Sequence, residues 1–145
     1  MEQYLIGPEI KHISEEIDRR INAQNRPYRL TMAQARIVMY LSEQEGHEAR
    51  QNDLLKLLGV AHSTLISIIS SMKQKGMVEV KDDPRDRRGN IVQLTYGNEK
   101  LYQQLKANAD ENERVLLEGF SEQEKEMFHA LLKRAEDNLK AHEVK

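Results

Sequence analysis

The chain has 145 residues, of which 39% are hydrophobic, 32% charged and 5% aromatic, and its net charge is −2. This length suits one domain, and the composition is that of a folded rather than a disordered chain. The lack of cysteine excludes disulfides, thiolate zinc sites and cysteine nucleophiles, and it fits a reducing cytoplasm. No apolar run approaches the roughly 20 residues of a transmembrane helix, and the N-terminus lacks the pattern of a signal peptide.

Charge is unevenly distributed along the sequence. Six basic and four acidic residues lie between Lys73 and Arg88, whereas seven acidic and two basic residues lie between Asp110 and Glu126. One region is therefore suited to meet an anion and the other is not. The plainer alternative is that both regions are solvated surfaces.

Apolar spacing predicts two helices in the first third of the chain. Isoleucines recur every three or four residues up to Ile21, which predicts a helix from about Pro8 to Ala23. Thr31 and Gln34 have the capping-box spacing that begins a second helix. Gly46 is expected to close that helix.

Two shorter helices and a hairpin are predicted next. QNDLLKLL stops at Gly59, and AHSTLISIISSMKQK stops at Gly76, as helices that end on glycine do. In the second of these, Leu65, Ile68, Ile69 and Met72 form an apolar face. MVEVK and NIVQLT predict two strands joined by the charged stretch KDDPRDRRGN. The rest predicts two helices, the last beginning at a Ser121–Glu124 capping box.

The segment LLGVAHST places a glycine-containing turn between two short helices. This is the pattern of a helix-turn-helix, whose second helix enters the major groove of DNA with its N-terminal residues toward the bases. A hairpin directly after that helix predicts a winged helix. The predicted fold class is therefore mainly α with a small β-hairpin.

Three segments closely resemble the MarR family of transcriptional regulators: LTMAQARIVMYL, QNDLLKLLGVAHSTLISIISSMKQKGMVEV and DDPRDRRGNIVQLT. The third is the most specific, because the family's wing typically reads D-x-R-D-x-R before a strand that ends in Leu-Thr. The resemblance implies a dimeric winged helix with N- and C-terminal dimerisation helices. It divides the chain into residues 1–30, 31–96 and 97–145, where the middle part is the DNA-binding lobe of one intertwined domain.

The resemblance also implies which residues contact DNA. The candidates are Arg50, Gln51, His62, Ser63, Thr64, Ser67, Lys73, Arg85, Arg87 and Arg88. An arginine at a wing tip suits the negative potential of a narrow minor groove. Asp83 and Asp86 are expected to support the wing, and Asp86 is expected to pair with an arginine and fix its direction. The alternatives are that these charges only brace the hairpin and that the serines are only polar surface.

Two departures from the family pattern affect these expectations. Many members carry an arginine where this chain has Ser67, and no basic residue lies between Ala61 and Met72. Strong guanine recognition by this helix is therefore not expected. Arg50 stands where members often have serine or threonine, and Ser63 or Thr64 is expected to cap the recognition helix.

The long terminal helices favour a homodimer, which predicts a pseudo-palindromic operator in double-stranded DNA with half-sites about one helical turn apart. The resemblance further implies a small, often aromatic, anionic effector. The candidates for its crevice are Tyr4, Arg19, Arg26, Tyr28, Arg36 and Tyr40.

Other function classes find little support in the sequence. His12, His47, His62, His129 and His142 show no metal-ligand spacing, and no phosphate-binding glycine loop or nucleophile elbow is present. Neither a metal, another cofactor nor an enzyme activity is expected. The competing interpretation is a winged-helix protein-interaction module, or an anti-repressor, with little DNA binding.

Overall fold

The computed structural model describes residues 3–95 and 99–144. Its helices are α1 (Ile6–Asn25), α2 (Met32–Glu43), α3 (Gln51–Leu58), α4 (His62–Gln74), α5 (Glu99–Leu116) and α6 (Glu122–Ala141). Its strands are β1 (Glu48–Arg50), β2 (Val78–Asp83) and β3 (Asp86–Leu94). The prediction of a mainly α winged helix is confirmed.

Helix ends follow the local sequence signals. The Thr31 side chain accepts a hydrogen bond from the Gln34 N–H, and the Gln34 side chain accepts one from the Thr31 N–H, both at 3.2 Å. The predicted capping box is thus confirmed. α1 is longer than predicted, because Gly7 and Pro8 fall in its first turn, where the backbone N–H groups have no partner within the helix.

A three-stranded antiparallel sheet, in the order β1-β3-β2, replaces the predicted two-stranded hairpin. β1 pairs with β3 from Glu48↔Gln93 to Arg50↔Ile91. The sequence EAR is too short to show an alternating pattern, so it carries no strand signal of its own. Its extended conformation depends on pairing with β3.

The hydrophobic core lies between α2, α3, α4 and the sheet. Its fully buried side chains are Ile37, Val38, Leu41, Leu54, Leu65, Met72, Val78 and Val92. Truncating one such side chain to alanine typically costs about 2–5 kcal/mol. This core therefore fixes α4 and the hairpin on one rigid support.

The chain forms two compact units, one ending at Ala109 and the other beginning at Asp110. In the second unit, Ser121 and Glu124 form the predicted capping box, and the Phe120 and Phe128 rings meet edge to face at 5.7 Å. The predicted boundary between residues 96 and 97 lies outside the described residues. The three-part division of the chain stays a prediction.

Candidate nucleic-acid interface

Helices α3 and α4 meet at a sharp bend. Gly59 follows α3 with a φ of 64°, in the left-handed region that favours glycine, and its N–H donates to the Leu55 carbonyl oxygen at 2.8 Å. The axes of α3 and α4 are bent by 109°. This angle is typical of helix-turn-helix units.

One face of α4 is packed in the core and the opposite face is open. Leu65, Ile69 and Met72 are buried at helical spacing, so they anchor the helix. The predicted recognition residues all lie on the exposed surface near its N-terminus: His62, Ser63, Thr64 and Ser67. The fold therefore presents these side chains outward on a rigid helix.

The N-terminus of α4 differs from the expectation. Its N-cap is Ala61, and Ser63 and Thr64 lie inside the first turn. The expected serine or threonine cap is therefore wrong. Along α4, which the structure describes throughout, no side chain caps this end, so the N–H groups of its first turn have no side-chain acceptor within the helix.

Sequence reasoning missed Ile66. Its side chain is 40% exposed, and it lies on the open face of α4 beside Ser63 and Ser67. Apolar spacing alone did not separate it from the buried face, because Ile66 precedes the buried Ile69 by three residues. Ile66 is a large apolar side chain on an otherwise polar surface.

The arginines of the hairpin lie at an irregular tip. Pairing between β2 and β3 is regular from Val78↔Leu94 to Asp82↔Asn90, and the next pair is Asp83↔Asp86. Residues 87–89 have no counterpart in this register and form a bulge of β3. The side chains predicted to contact DNA are all exposed here: Arg85, Arg87 and Arg88.

Asp83 joins the hairpin to the start of α3. Its side chain is only 2% exposed, and its Oδ2 lies 3.1 Å from Nε of Arg50, the N-cap residue of α3. Its Oδ1 accepts a hydrogen bond from the Arg85 N–H at 2.9 Å. A second ion pair, Lys81 Nζ to Glu48 Oε2 at 2.7 Å, also links β2 to β1. These contacts hold the tip in place relative to the helix pair.

Asp86 is placed differently from its expected role. Its Oδ1 accepts a hydrogen bond from the Arg88 backbone N–H at 3.0 Å. Within the described residues its carboxylate makes no ion pair with an arginine side chain. Asp86 therefore stabilises the backbone at Arg88 and does not bind the Arg88 guanidinium.

The remaining DNA candidates divide by exposure. Gln51 is buried in the first turn of α3, so its side chain is less available to DNA than the sequence suggested. Arg50 is 47% exposed despite its pairing with Asp83. Lys73 is exposed in the last turn of α4. Lys75, directly after α4, donates to the Arg29 carbonyl oxygen and to Gln34 Oε1.

The effector candidates are spread over the segment before α1, α1 itself, the turn after it and α2. Arg19 pairs with Glu16 on the exposed surface of α1, and Arg36 donates to the Leu57 carbonyl oxygen at 2.9 Å. The others precede α1, follow it or lie in α2: Tyr4, Arg26, Tyr28 and Tyr40. A crevice of about 440 Å³ is lined by other residues, among them Glu79 and Glu99. These carboxylates do not favour an anion there.

Residues 3–95 and 99–144 contain neither a cluster of metal ligands nor a single membrane-spanning helix. No group of three or more histidine, aspartate or glutamate side chains there could hold a metal ion. No single helix is long and apolar enough to cross a membrane, although α3 and α4 together would pass by length and composition despite their 109° bend.

Comparison with known proteins finds similarity to the family that the sequence motifs resemble. Residues 30–89 match the model of the MarR family. The chain is 29% identical over 140 residues to the HTH-type transcriptional regulator PecS of Dickeya dadantii, covering 96% of this chain and 84% of PecS. Its fold is similar to that of S. aureus MepR in a DNA complex, with a TM-score of 0.85, 23% identity, and coverage of 94% and 100%. It is also similar to Bordetella bronchiseptica BpsR, whose DNA binding is regulated by 6-hydroxynicotinic acid, with a TM-score of 0.76, 21% identity, and coverage of 94% and 99%.

Proposed function

Because the chain belongs to the MarR family of winged-helix transcriptional regulators, we propose that it is a dimeric repressor that binds a specific pseudo-palindromic operator. The observation that carries this proposal is the shared support of two exposed elements. The open face of α4 and the arginine-bearing tip of the hairpin rest on one core, and the Arg50–Asp83 ion pair joins that tip to the start of α3, the helix before α4.

The two elements suit different parts of a DNA duplex. An exposed helix of this kind fits the major groove, where its hydroxyl side chains can bond with base edges. The arginines at residues 85, 87 and 88 suit an adjacent narrow minor groove, because a guanidinium keeps its charge and is weakly hydrated. MepR, which has a similar fold, is seen bound to DNA, and this likeness supports the proposal.

The dimer is proposed from the surfaces left uncovered. On α1 the exposed apolar side chains include Ile6, Ile10 and Ile13. On α6 they include Met127, Leu131, Leu132 and Leu139. Apolar area of this extent on a single chain indicates a partner, and a second copy in two-fold symmetry would present the paired recognition helices that a palindromic site needs.

Relief by a small aromatic anion is the finer part of the proposal, and it is supported by the likeness to BpsR. A ligand that binds better to the conformer with the wrong spacing of the recognition helices would lower the affinity for DNA. A thermal-shift screen of aromatic carboxylates checks this. Stabilisation by at least one compound that also releases DNA is expected, and no response to any would refute this ligand class.

The protein would act in the cytoplasm, where its DNA lies.

Arg88→Ala tests DNA binding. Selection of bound sequences from a random pool is expected to give two half-sites about one helical turn apart. On the selected duplex, Arg88→Ala should weaken binding about tenfold or more, because a charge-assisted hydrogen bond contributes about 1.5–3 kcal/mol. It should also reduce the slope of log affinity against log salt by about one.

Arg114→Ala is the matched control, since it removes the same charge from an exposed arginine that pairs with Glu111 on α5. It should leave affinity and salt slope nearly unchanged. Absence of salt-sensitive binding by the wild-type chain, with no effect of Arg88→Ala, would favour the protein-interaction module instead.

A further inference from the structure

Ile66 is an isolated apolar side chain on the open face of α4. It is 40% exposed, although isoleucine is among the residue types most often buried. Its neighbours on that face, Ser63, Ser67 and Ser70, are all exposed and polar. Ile66 belongs neither to the buried core nor to the partly buried side chains packed against it.

The neighbouring buried residues make Ile66 rigid. Leu65 and Ile69, one residue before and three residues after Ile66, are held in the core, so α4 cannot rotate to cover Ile66. A β-branched side chain in a helix has one strongly preferred rotamer. The apolar surface of Ile66 is therefore presented in nearly one conformation, and little entropy is lost when it meets a partner surface.

The chemistry of the major groove offers one apolar group, the C5-methyl of thymine. Guanine is usually read by arginine or lysine, and residues 62–72 contain neither. The available side chains near the N-terminus of α4 are hydroxyls, an imidazole and this isoleucine. Hydroxyls bond with several bases, so they discriminate less than a shape-matched apolar contact.

We propose that Ile66 is a specificity-determining residue that packs against a thymine methyl in each half-site. This inference rests on the proposed function. α4 then selects thymine by its methyl group rather than guanine by its acceptor pair. Each half-site should accordingly contain at least one thymine that cannot be replaced without loss of affinity.

Replacing thymine by uracil in the selected duplex tests this, because it removes only the methyl and keeps base pairing. We expect uracil at one or two positions of each half-site to weaken binding about fourfold per methyl, as loss of one buried methyl-sized group implies. Uracil in the flanking segments under the hairpins is the control for altered DNA shape, and it should have little effect.

Variants of Ile66 assign the contact. Ile66→Ser should bind the thymine duplex about as weakly as the wild-type chain binds the uracil duplex. We call the loss of affinity on replacing thymine by uracil the uracil penalty. Ile66→Ser should show no such penalty, as a double-mutant cycle requires of two groups in contact. Ile66→Val keeps a stiff apolar side chain and should keep most of the penalty. Unchanged melting of both variants would show that the fold is intact.

The possible outcomes distinguish failure of this inference from failure of the proposed function. Specific binding by the wild-type chain without any uracil penalty would overturn the methyl contact and leave the repressor standing. A penalty that persists in Ile66→Ser would assign the methyl to another residue and overturn the role of Ile66. Absence of specific DNA binding would overturn the proposed function and this inference with it.

Discussion

At the scale of single residues, the buried carboxylate of Asp83 joins the hairpin tip to the start of α3. It is almost completely removed from solvent, and both of its oxygens have partners, the Arg85 N–H and the Arg50 guanidinium. A buried charge is tolerated only when it is paired and hydrogen-bonded. Asp83 therefore stabilises the tip of the hairpin and its position next to α3 at the same time.

Asp83→Ala should lower the free energy of unfolding by about 1–3 kcal/mol. Most of this loss should come from the unpaired turn N–H, because the half-exposed Arg50 is screened by solvent. Asp83→Asn keeps an acceptor for the Arg85 N–H and should cost less. Urea unfolding at one protein concentration measures these differences through the midpoint.

Asp86→Ala is the control at an exposed position of the same turn. Its carboxylate bonds only with the Arg88 N–H among the contacts described, so its loss should cost less than the loss of Asp83. Equal and small effects of the two alanine variants, below about 0.5 kcal/mol, would show that burial of Asp83 does not brace the hairpin.

At the scale of secondary-structure elements, Gln34 connects α2 to α4. It is buried, it completes the cap of α2, and its Nε2 donates to Ser71 Oγ of α4 at 3.3 Å. Its Oε1 accepts from Lys75 Nζ at 2.8 Å, directly after α4. One amide side chain thus fixes the start of α2 against the end of α4.

Comparison of Gln34→Ala with Thr31→Ala should separate the two roles of Gln34. Thr31→Ala removes the cap and should cost about 1 kcal/mol. Gln34→Ala keeps the bond to the Thr31 side chain, which uses the Gln34 backbone N–H. However, it removes the acceptor for the Thr31 N–H and the bonds with Ser71 and Lys75. It should therefore cost about 1 kcal/mol more than Thr31→Ala. Thermal and urea unfolding of both variants measure the difference. Equal costs would show that the bonds between α2 and α4 add nothing to stability.

An element could be predicted from the sequence where the residues that determine it are close together along the chain. Local signals were sufficient for the capping boxes at Thr31 and Ser121 and for the turn at Gly59. They could not show β1, because its conformation depends on pairing with a distant strand. Nor could they show that Asp83 is buried, or that Gln51 is, since burial depends on residues brought together only by folding.

At the scale of the whole molecule, the main feature is the apolar surface of α6. None of the described residues of this helix is buried, and Leu131 and Leu132 are exposed. A helix of this kind is stable when its apolar face is covered. The proposed second copy would supply that cover, so folding and association should be coupled.

Stability should therefore depend on protein concentration, and the melting temperature should rise with it. Leu132→Glu should weaken association by more than about 100-fold, because two-fold symmetry doubles a loss of about 1.5 kcal/mol or more per side chain. Sedimentation velocity measures the dimer fraction. His129→Glu adds a carboxylate at an exposed polar position of α6 and should leave it unchanged. A wild-type chain that is monomeric at micromolar concentration would refute the dimer.

The bulge at residues 87–89 has a consequence for how this protein can diverge. Its residues lie between the pairs Asp82↔Asn90 and Asp83↔Asp86, so their number can change without a shift in the register from Val78↔Leu94 to Asp82↔Asn90. The reach of the hairpin tip is thereby separated from the fold that carries it. With the DNA contact proposed for the tip, insertions and deletions there would change the DNA sequences that related chains bind while the core sequence stays the same.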